Sequence, residues 1–234
     1  MTESLSRKSC KSLAGMALQV ASDSDAHWDA IEALRRKPEP QTLAWVQKCY
    51  ASRNWRKRVL AINVICQLGQ GGLRYVPFAV ETARDLLGHA LRDTDWRVHE
   101  AALFGLGHRE TPEHLDAMLT FTASPREELR YALAFAVGGY QHERAAQALL
   151  VLMRDESGLV REWAAFGLGS LCELDSEEIR AGLLAAAEDR DCAVRGEALA
   201  GLAAREERRA IPLILKELAG PFEGTWAIDA AGVL

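Results

Sequence analysis

Apolar and small residues recur along most of the chain at the three- and four-residue spacing of an amphipathic helix. The segment 93–107 shows the pattern most clearly. At 100° per residue, Val98, Ala102 and Leu106 fall on one stripe of its helix. The pattern occurs again at residues 52–66, 124–138, 155–169 and 189–203. Successive copies begin 41, 31, 31 and 34 residues apart, and a period of this length predicts an array of helical repeats.

Three columns of residues align across the copies. Each copy opens on a polar side chain, in Ser52, Asp93, Ser124, Asp155 and Asp189. A second column is arginine, interrupted once by histidine, in Arg58, His99, Arg130, Arg161 and Arg195. A third holds small residues, in Cys66, Gly107, Gly138, Gly169 and Ala203. The opening Asp or Ser is predicted to be the N-cap of the helix, and the small residues to let neighbouring helices approach closely.

Second helices are predicted between the copies, because leucines continue there at helical spacing. They cover residues 111–123, 142–154, 176–188 and 207–218. Further helices are predicted at residues 4–21, 27–37, 40–51 and 77–91, with a loop at 69–75. We expect the helices at 27–37 and 40–51 to form one degenerate leading repeat. A single helix pair cannot bury its apolar face alone, so the pairs are expected to stack.

The segment 189–203 carries a D-x-D-x-x-V-R-x-x-A-x-x-x-L-G pattern, with Ala203 in place of the last glycine. This pattern resembles HEAT repeats of the short, PBS-lyase-like kind. The resemblance implies an all-α fold, a right-handed α-solenoid (α-α superhelix) of about six HEAT-like helix pairs. It implies one domain over residues 1–234, made of degenerate N-terminal helices (1–51), repeats (52–219) and a partial C-terminal repeat (220–234). His99 departs from the arginine column, so no regular Arg–Asp ladder is expected there.

Composition is ordinary for a soluble globular protein, with 49% apolar and 26% charged residues. The five cysteines are scattered and form no C-x-x-C pair. They indicate mostly buried thiols in a reducing compartment, and neither a disulfide framework nor a zinc site. No apolar run approaches the ~20 residues of a membrane span. We therefore expect a cytoplasmic protein with no cofactor, no metal and no membrane segment.

Charge is distributed unevenly along the chain. Residues 1–92 contain 14 Lys and Arg against 8 Asp and Glu, a net charge of +6. Residues 93–234 contain 14 against 25, a net charge of −11. This asymmetry indicates either charged partners at the two ends of the chain or simply solvated faces.

Polar and aromatic residues occupy the side of each repeat helix that faces away from the core stripe. In the copies at 52–66 and 93–107, the candidate partner-binding residues are Trp55, Arg56, Trp96, Arg97, Glu100 and Phe104. In the copies at 124–138 and 155–169, they are Glu128, Tyr131, Phe135, Glu162, Trp163 and Phe166. Exposed aromatics interleaved with Arg and acidic residues are typical anchors of protein interfaces. The alternative is that the three Phe side chains lodge between helices as core.

A basic segment supports a second hypothesis. Residues 50–58 place four cations around Trp55, in Arg53, Arg56, Lys57 and Arg58. Cations follow phosphates and an aromatic ring can stack on a base, so a HEAT-like DNA-binding or DNA glycosylase-type protein is the alternative. Acidic residues in the following copies, including Glu128 and Glu162, would repel a nucleic-acid backbone. Nucleic acid is therefore the less favoured partner.

Catalytic motifs are absent from the sequence. The Gly105-x-Gly107 and Gly167-x-Gly169 pairs lie inside predicted helices and do not follow a strand, so they indicate helix packing and not a dinucleotide loop. The chain has no Walker loop and no G-x-S-x-G motif. We expect a protein that is not an enzyme.

Distinctive segments resemble bacterial HEAT proteins encoded beside Rhs-type polymorphic toxins. They are N-W-x-K-R at 54–58, V-R-E-W-A-A-F at 160–166, D-S-E-E-I-R at 175–180 and D-A-A-G at 229–232. The resemblance implies an immunity protein. The sequence therefore favours a non-enzymatic protein that binds a protein partner in a concave groove, as an immunity protein neutralises a cognate bacterial toxin. A scaffold or lyase-subunit-like adaptor is a further alternative, and the oligomeric state is left open.

Overall fold

The computed structural model of the chain describes residues 5–70, 78–109, 111–220 and 226–233. Regular secondary structure in these residues is entirely helical, which confirms the predicted all-α class. Most of the loop predicted at 69–75 lies outside the described residues. The chain divides into two compact units, Met1–Thr111 (unit 1) and Pro112–Leu234 (unit 2). The organisation of residues 1–234 as one domain stays a prediction.

Unit 1 contains three helix pairs in its described part. The helices are Cys10–Gln19 (α1), Asp25–Arg35 (α2), Pro40–Tyr50 (α3), Trp55–Ile65 (α4), Val80–Ala90 (α5) and Trp96–Gly107 (α6). Helix α1 packs on α2, α3 on α4, and α5 on α6. Helix α4 also contacts both α2 and α6, so it lies at the centre of the unit. Leu60, Ile62 and Ile65 of α4 are fully buried there.

Unit 2 continues the pairing in its described part. The helices are Leu115–Leu119 (α7), Glu127–Val137 (α8), Glu143–Leu152 (α9), Gly158–Phe166 (α10), Glu177–Ala186 (α11), Cys192–Ala204 (α12), Ile211–Ala219 (α13) and Trp226–Val233 (α14). The even-numbered helices form one layer, because α10 packs on α8 and α12, and α12 packs on α14. Each odd-numbered helix packs on the even-numbered helix that follows it and so forms the second layer.

The helix pairing differs from the sequence prediction near the start of the chain. The helices predicted at 27–37 and 40–51 do not form one repeat with each other, because α2 pairs with α1 and α3 pairs with α4. The described residues consequently hold seven pairs, where the sequence indicates about six. Helix α7 is also shorter than the predicted helix at 111–123, because a 3₁₀ turn at Pro112–His114 precedes it.

The opening residue of each copy forms a turn and does not cap the helix, which corrects the predicted N-cap. Its side chain accepts a hydrogen bond from the backbone N–H two residues later, as in Asp93, Asp155 and Asp189. The N-caps are these later residues, Asp95, Ser157 and Asp191. The prediction was wrong by two residues because Asp and Ser suit both positions equally well.

Arginines link each repeat to the next in a ladder. Each guanidinium forms two hydrogen bonds with one carboxylate, in the pairs Arg58–Asp93, Arg130–Asp155, Arg161–Asp189 and Arg195–Glu217. The Nη1 atom of each arginine also donates to the carbonyl six residues earlier, in its own turn. In the three pairs with aspartate, one arginine therefore binds its own turn and the residue that opens a later copy, whereas the partner of Arg195 is Glu217 within α13.

His99 interrupts this ladder, as its place in the arginine column predicts. Its Nε2 atom lies within hydrogen-bonding distance of the Asp93 carbonyl, six residues earlier. His99 thus keeps the contact that the arginines make with their own turns. An imidazole lacks the planar fork that lets a guanidinium bind a carboxylate through two parallel bonds.

Glycines allow the backbones of neighbouring even-numbered helices of unit 2 to come into direct contact. Helix α10 continues into a π-helical turn at Gly167–Leu171. A Cβ atom built on Gly201 would lie 2.4 Å from the Cα of Gly169, and one built on Gly167 would lie 2.7 Å from the Cα of Gly138. No side chain fits at such distances. The close approach predicted for the small-residue column is confirmed at Gly138 and Gly169.

The cysteines follow the prediction with one exception. Cys49, Cys66 and Cys172 are buried and Cys10 is half-buried. Cys192 is exposed. It is the first residue of α12, where the side chain precedes the packed stripe of the helix.

Candidate partner-binding surfaces

The candidate residues of unit 1 centre on an arginine between two indole rings. The guanidinium carbon of Arg97 lies 4.3 Å from the ring centroid of Trp55 and 4.9 Å from that of Trp96. Its Nη1 atom is also 3.2 Å from each oxygen of Asp95, the N-cap of α6. The cap therefore orients the arginine, and the arginine holds the rings of α4 and α6 together through cation–π contacts. We call Trp55, Trp96 and Arg97 the Trp–Arg stack.

The other predicted residues of unit 1 lie around this stack. Arg56 is exposed, and its guanidinium carbon is 5.5 Å from the ring centroid of Trp55. Glu100 and Phe104 follow Trp96 by four and eight residues on α6, so they share its side of the helix. Both are half-buried. The six predicted residues of unit 1 thus lie on two adjacent helices.

The candidate residues of unit 2 form an aromatic cluster centred on Trp163. Its ring centroid lies 5.7 Å from Tyr131, 5.4 Å from Phe135 and 5.7 Å from Phe166. The contacts with Tyr131 and Phe166 are edge-to-face, a favoured arrangement of aromatic pairs. All four side chains are half-buried. We call these four residues the Trp163 cluster.

The three Phe side chains lie between the two interpretations that the sequence left open. Phe104, Phe135 and Phe166 are each half-buried, so none is a fully enclosed core residue and none is fully exposed. In unit 2, Phe135 and Phe166 support Trp163 from two helices. Both rings thus contact Trp163 while part of each stays accessible to solvent.

Two carboxylates on α10 and α12 interact with each other, namely Glu162, directly before Trp163, and Glu197. Burial, together with the negative charge of Asp191, raises the pKa of Glu162. Burial and the negative charge of Glu162 raise the pKa of Glu197, although a hydrogen bond from the Ser170 hydroxyl opposes the rise. Neither glutamate has an ion-pair partner among the described residues. Each carboxylate has therefore lost part of its hydration without gaining a cation.

Glu197 was not predicted as a site residue, although its column contained a signal. It lies two residues after Arg195, and the corresponding residues are Leu60, Ala101 and Ala132, which are buried, and Trp163, which is half-buried. A glutamate in a column of otherwise apolar residues indicates an unusual environment. Glu128 was predicted, and it is exposed in the first turn of α8, three residues before Tyr131.

Replacing Glu197 by Gln is expected to stabilise the protein at pH 7. The raised pKa means that the carboxyl binds its proton more tightly when folded. The contribution of the protonated Glu197 carboxyl to stability is complete when the pH is below its pKa in the unfolded chain. This contribution is lost as the pH rises through its pKa in the folded protein. Glu197→Gln should therefore raise the free energy of unfolding by up to about 1 kcal/mol, after allowance for solvent screening.

Urea unfolding measured from pH 4 to pH 8 tests this expectation. The gain should grow with pH and then level off. Glu188→Gln, at an exposed position before the same helix, removes the same charge and should change stability little at any pH. A loss of stability in Glu197→Gln would show that the carboxylate is held by favourable contacts.

The basic segment of unit 1 is only partly available to a ligand. Arg58 is bound to Asp93 and to two backbone carbonyls, and Arg56 lies beside Trp55. Arg53 and Lys57 are exposed. Because Arg58 is already bound within the ladder, it is not available to contact DNA. The DNA-binding alternative stays a prediction.

Other kinds of site find no support in the described part of the chain. No group of three or more His, Cys, Asp or Glu side chains there is arranged to hold a metal ion. No helix within the same residues has the length and apolar character needed to cross a membrane.

Stacked helix pairs with an arginine ladder define an all-α repeat protein of the solenoid class. The chain matches a family model of HEAT repeats over residues 84–169 and 149–225. These segments together cover more than half of the 234 residues, and the chain belongs to the HEAT-repeat family. HEAT repeats typically act as non-catalytic scaffolds for protein interaction.

A relative of this chain is the protein YibA of Escherichia coli strain K12. It is 32% identical over 106 residues, which are 45% of this chain and 38% of YibA. The match thus spans well under half the length of that relative. Over the whole fold, the X-ray structure of Escherichia coli YibA aligns with a TM-score of 0.79 at 20% identity, covering 100% of this chain and 84% of the other.

Two further solved structures are similar at the level of the fold. One is a designed armadillo repeat protein in complex with the peptide (KR)4, with a TM-score of 0.57, 16% identity, and coverage of 82% of this chain and 98% of the other. The second is the complex of CpcE and CpcF of phycocyanin lyase from Nostoc sp., with a TM-score of 0.53, 16% identity, and coverage of 97% and 86%. At these identities the likeness concerns the helical repeat architecture.

Proposed function

We propose that this protein is a non-enzymatic binding module whose partner is another protein carrying a basic docking segment. The observation that carries the proposal is the Trp163 cluster beside Glu162 and Glu197. The cluster offers partly accessible aromatic rings, and the two carboxylates lack a cation among the described residues. A Lys or Arg side chain of a partner complements both features.

The physical reason is that one cation of the partner can make two favourable interactions, one with an aromatic ring and one with a carboxylate. Over the face of Trp163 it gains a cation–π attraction, which grows when water is excluded. Beside Glu162 or Glu197 it compensates a carboxylate that burial has already desolvated. Part of the desolvation cost of the interface is thus already present in the free protein.

The Trp–Arg stack of unit 1 is proposed as a second contact area. Its two indole rings come from different helices and are held by Arg97, which Asp95 orients in turn. Rings constrained in this way lose little conformational freedom on binding. Trp and Arg are also the residue types most enriched among the dominant contacts of protein interfaces.

Within this binding role, we propose that the protein is an immunity protein that neutralises a cognate bacterial toxin. The resemblance of residues 54–58, 160–166, 175–180 and 229–232 to HEAT proteins encoded beside Rhs-type toxins supports the proposal. The armadillo repeat complex with (KR)4 supports the basic character of the partner, since that related architecture binds a Lys-Arg peptide. Neutralisation would follow from occlusion, in which the bound toxin cannot reach its substrate.

Alanine substitution of the two central tryptophans should abolish partner capture. Removing one such anchor typically costs about 2 kcal/mol, roughly thirtyfold in affinity. The protein and its Trp96→Ala/Trp163→Ala variant are used as bait in extracts of the native host, and the retained proteins are identified by mass spectrometry. Any captured protein is then expressed in bacteria with and without this protein, and growth is measured.

Trp28→Ala provides the matched control, because Trp28 is 44% exposed on α2 and belongs to neither surface. Circular dichroism confirms that each variant is folded. A partner retained by the control and lost from the double variant supports the binding surfaces, and growth rescue supports immunity. Equal capture by both variants would contradict the surfaces, and a captured protein without toxicity would contradict the immunity role.

A further inference from the structure

An open cavity of about 730 Å³ lies in unit 1. It is formed where the turn between α3 and α4 meets the turn between α5 and α6. The residues that matter for its chemistry are Tyr50, Arg53, Arg58, His89, Arg92 and Asp93. Three of the six are arginines and one is an aspartate, so the lining carries an excess of positive charge.

The excess charge belongs to Arg53 and Arg92. Arg58 is neutralised by Asp93, with Nε–Oδ2 and Nη2–Oδ1 distances of 2.8 Å, and its Nη1 atom donates to the carbonyls of Ser52 and Arg53. These bonds hold the side chains of Arg58 and Asp93 in fixed positions in the lining of the cavity. The side chains of Arg53 and Arg92 are exposed, and neither has a hydrogen-bond or ion-pair partner among the described residues.

The Tyr50 hydroxyl supplies a further hydrogen-bond donor. Burial, and to a lesser extent the Asp93 carboxylate, raises the pKa of Tyr50, so its hydroxyl keeps its proton and can donate. The Nδ1 atom of His89 is 2.7 Å from the Asp85 carbonyl and must therefore carry the hydrogen.

The repeat fold itself does not require these cations. Arg53 follows the opening residue of its copy, and Arg92 precedes the opening residue of the next. At the same two positions, the copies beginning at 155 and 189 carry Glu156 and Glu188. The same repeat frame thus bears two carboxylates in unit 2 and two unpaired guanidinium groups in unit 1. The charge of the cavity is a property of this site and not of the architecture.

We propose that this cavity binds a phosphate monoester group. Two guanidinium groups match the charge of a dianion, and each can donate two parallel hydrogen bonds to its oxygens. A nucleic-acid backbone would need the cations to continue along the repeats. They do not, because the corresponding positions are Pro125 with Arg154 in one pair of copies and Glu156 with Glu188 in the next. A compact, terminal phosphate therefore fits the confined charge best.

Isothermal titration calorimetry with inorganic phosphate, in a phosphate-free buffer, tests the site on the full chain. We expect saturable binding to one site. Arg53→Gln/Arg92→Gln should weaken it at least about tenfold, since two charge-assisted contacts are lost. Arg154→Gln/Arg190→Gln is the matched control, because it removes the same charge from the equivalent positions of the repeat. The control should leave phosphate affinity unchanged.

Two further titrations identify the source of the phosphate. A phosphoserine peptide that binds more tightly than inorganic phosphate assigns the site to a phosphorylated protein, whereas equal affinity assigns it to small soluble phosphates. The proposal is overturned by three results: no saturable phosphate binding, equal weakening in both double variants, or preferential binding of an oligonucleotide without terminal phosphates. None of these outcomes depends on Trp163, so the test is independent of the proposed function.

Discussion

Arg161→Met is expected to lower the free energy of unfolding by about 3 kcal/mol or more, the usual cost of removing one partner of a buried ion pair. The Arg161 side chain is 7% exposed and the Asp189 side chain 13% exposed. Arg161 donates two bonds to that carboxylate and two more to the carbonyls of Asp155 and Glu156. The substitution therefore leaves a nearly buried carboxylate and two carbonyls without their donor.

Chemical denaturation at pH 7 measures the loss, and Arg144→Met is the control. Arg144 pairs with Asp116 in the same unit, but the two side chains are 57% and 77% exposed, so this loss should stay below about 1 kcal/mol. The loss should also depend on pH. The hydrogen bond from Arg161 lowers the pKa of Asp189 below its usual 3.8, so the stabilisation is present above that value and disappears as pH falls through the folded pKa. Equal losses in both variants would contradict the structural role of the ladder.

Gly201→Ala should destabilise unit 2 by about 1–3 kcal/mol or more, the range for overpacking a close-packed interior. The added Cβ would lie 2.4 Å from the Cα of Gly169 and 3.2 Å from its carbonyl carbon and oxygen. These are backbone atoms, so no rotamer change relieves the clash. Helix α12 must instead move away from the π-helical turn that follows α10. The shift would also change the distance between Glu197 and Glu162.

Gly15→Ala is the matched control for this substitution. Gly15 lies within α1, and a Cβ there meets nothing within 4 Å. Alanine has the higher helix propensity, so this change should stabilise the protein by up to about 1 kcal/mol. Thermal unfolding followed by circular dichroism compares the two variants. A stabilised Gly201→Ala protein would show that the helices are free to separate.

The repeat architecture was predictable because the same helical pattern recurs several times in the sequence. The arginine column at 58, 130, 161 and 195 predicts a common role, and the structure gives those arginines the same pairing. Helix caps and helix pairing were predicted less well. Asp and Ser serve turns and caps alike, so the pattern could not show that Asp95, and not Asp93, caps α6.

The candidate surfaces were only partly predictable for a different reason. Helical periodicity shows which residues share a side of one helix, and the Trp163–Phe166 contact agrees with it. It places Glu197 on the outward side of its own helix but does not show how that helix is rotated, so Glu197 was not among the predicted binding residues. The basic cavity depends on two turns 39 residues apart, from Arg53 to Arg92, whose proximity only the packed helices reveal.

The ladder has a consequence for how such a chain can lengthen or shorten during evolution. The rungs Arg58–Asp93, Arg130–Asp155 and Arg161–Asp189 each join an arginine inside one copy to the aspartate that opens a later one. Removing residues 155–188 would bring Asp189 to the position of Asp155, where Arg130 still finds a carboxylate. Duplicating the same segment would likewise supply a complete rung. Unequal recombination between copies can thus change the number of repeats in one step while each of these arginines keeps a carboxylate partner. The condition is that the crossover preserves the position of the opening aspartate in the repeat.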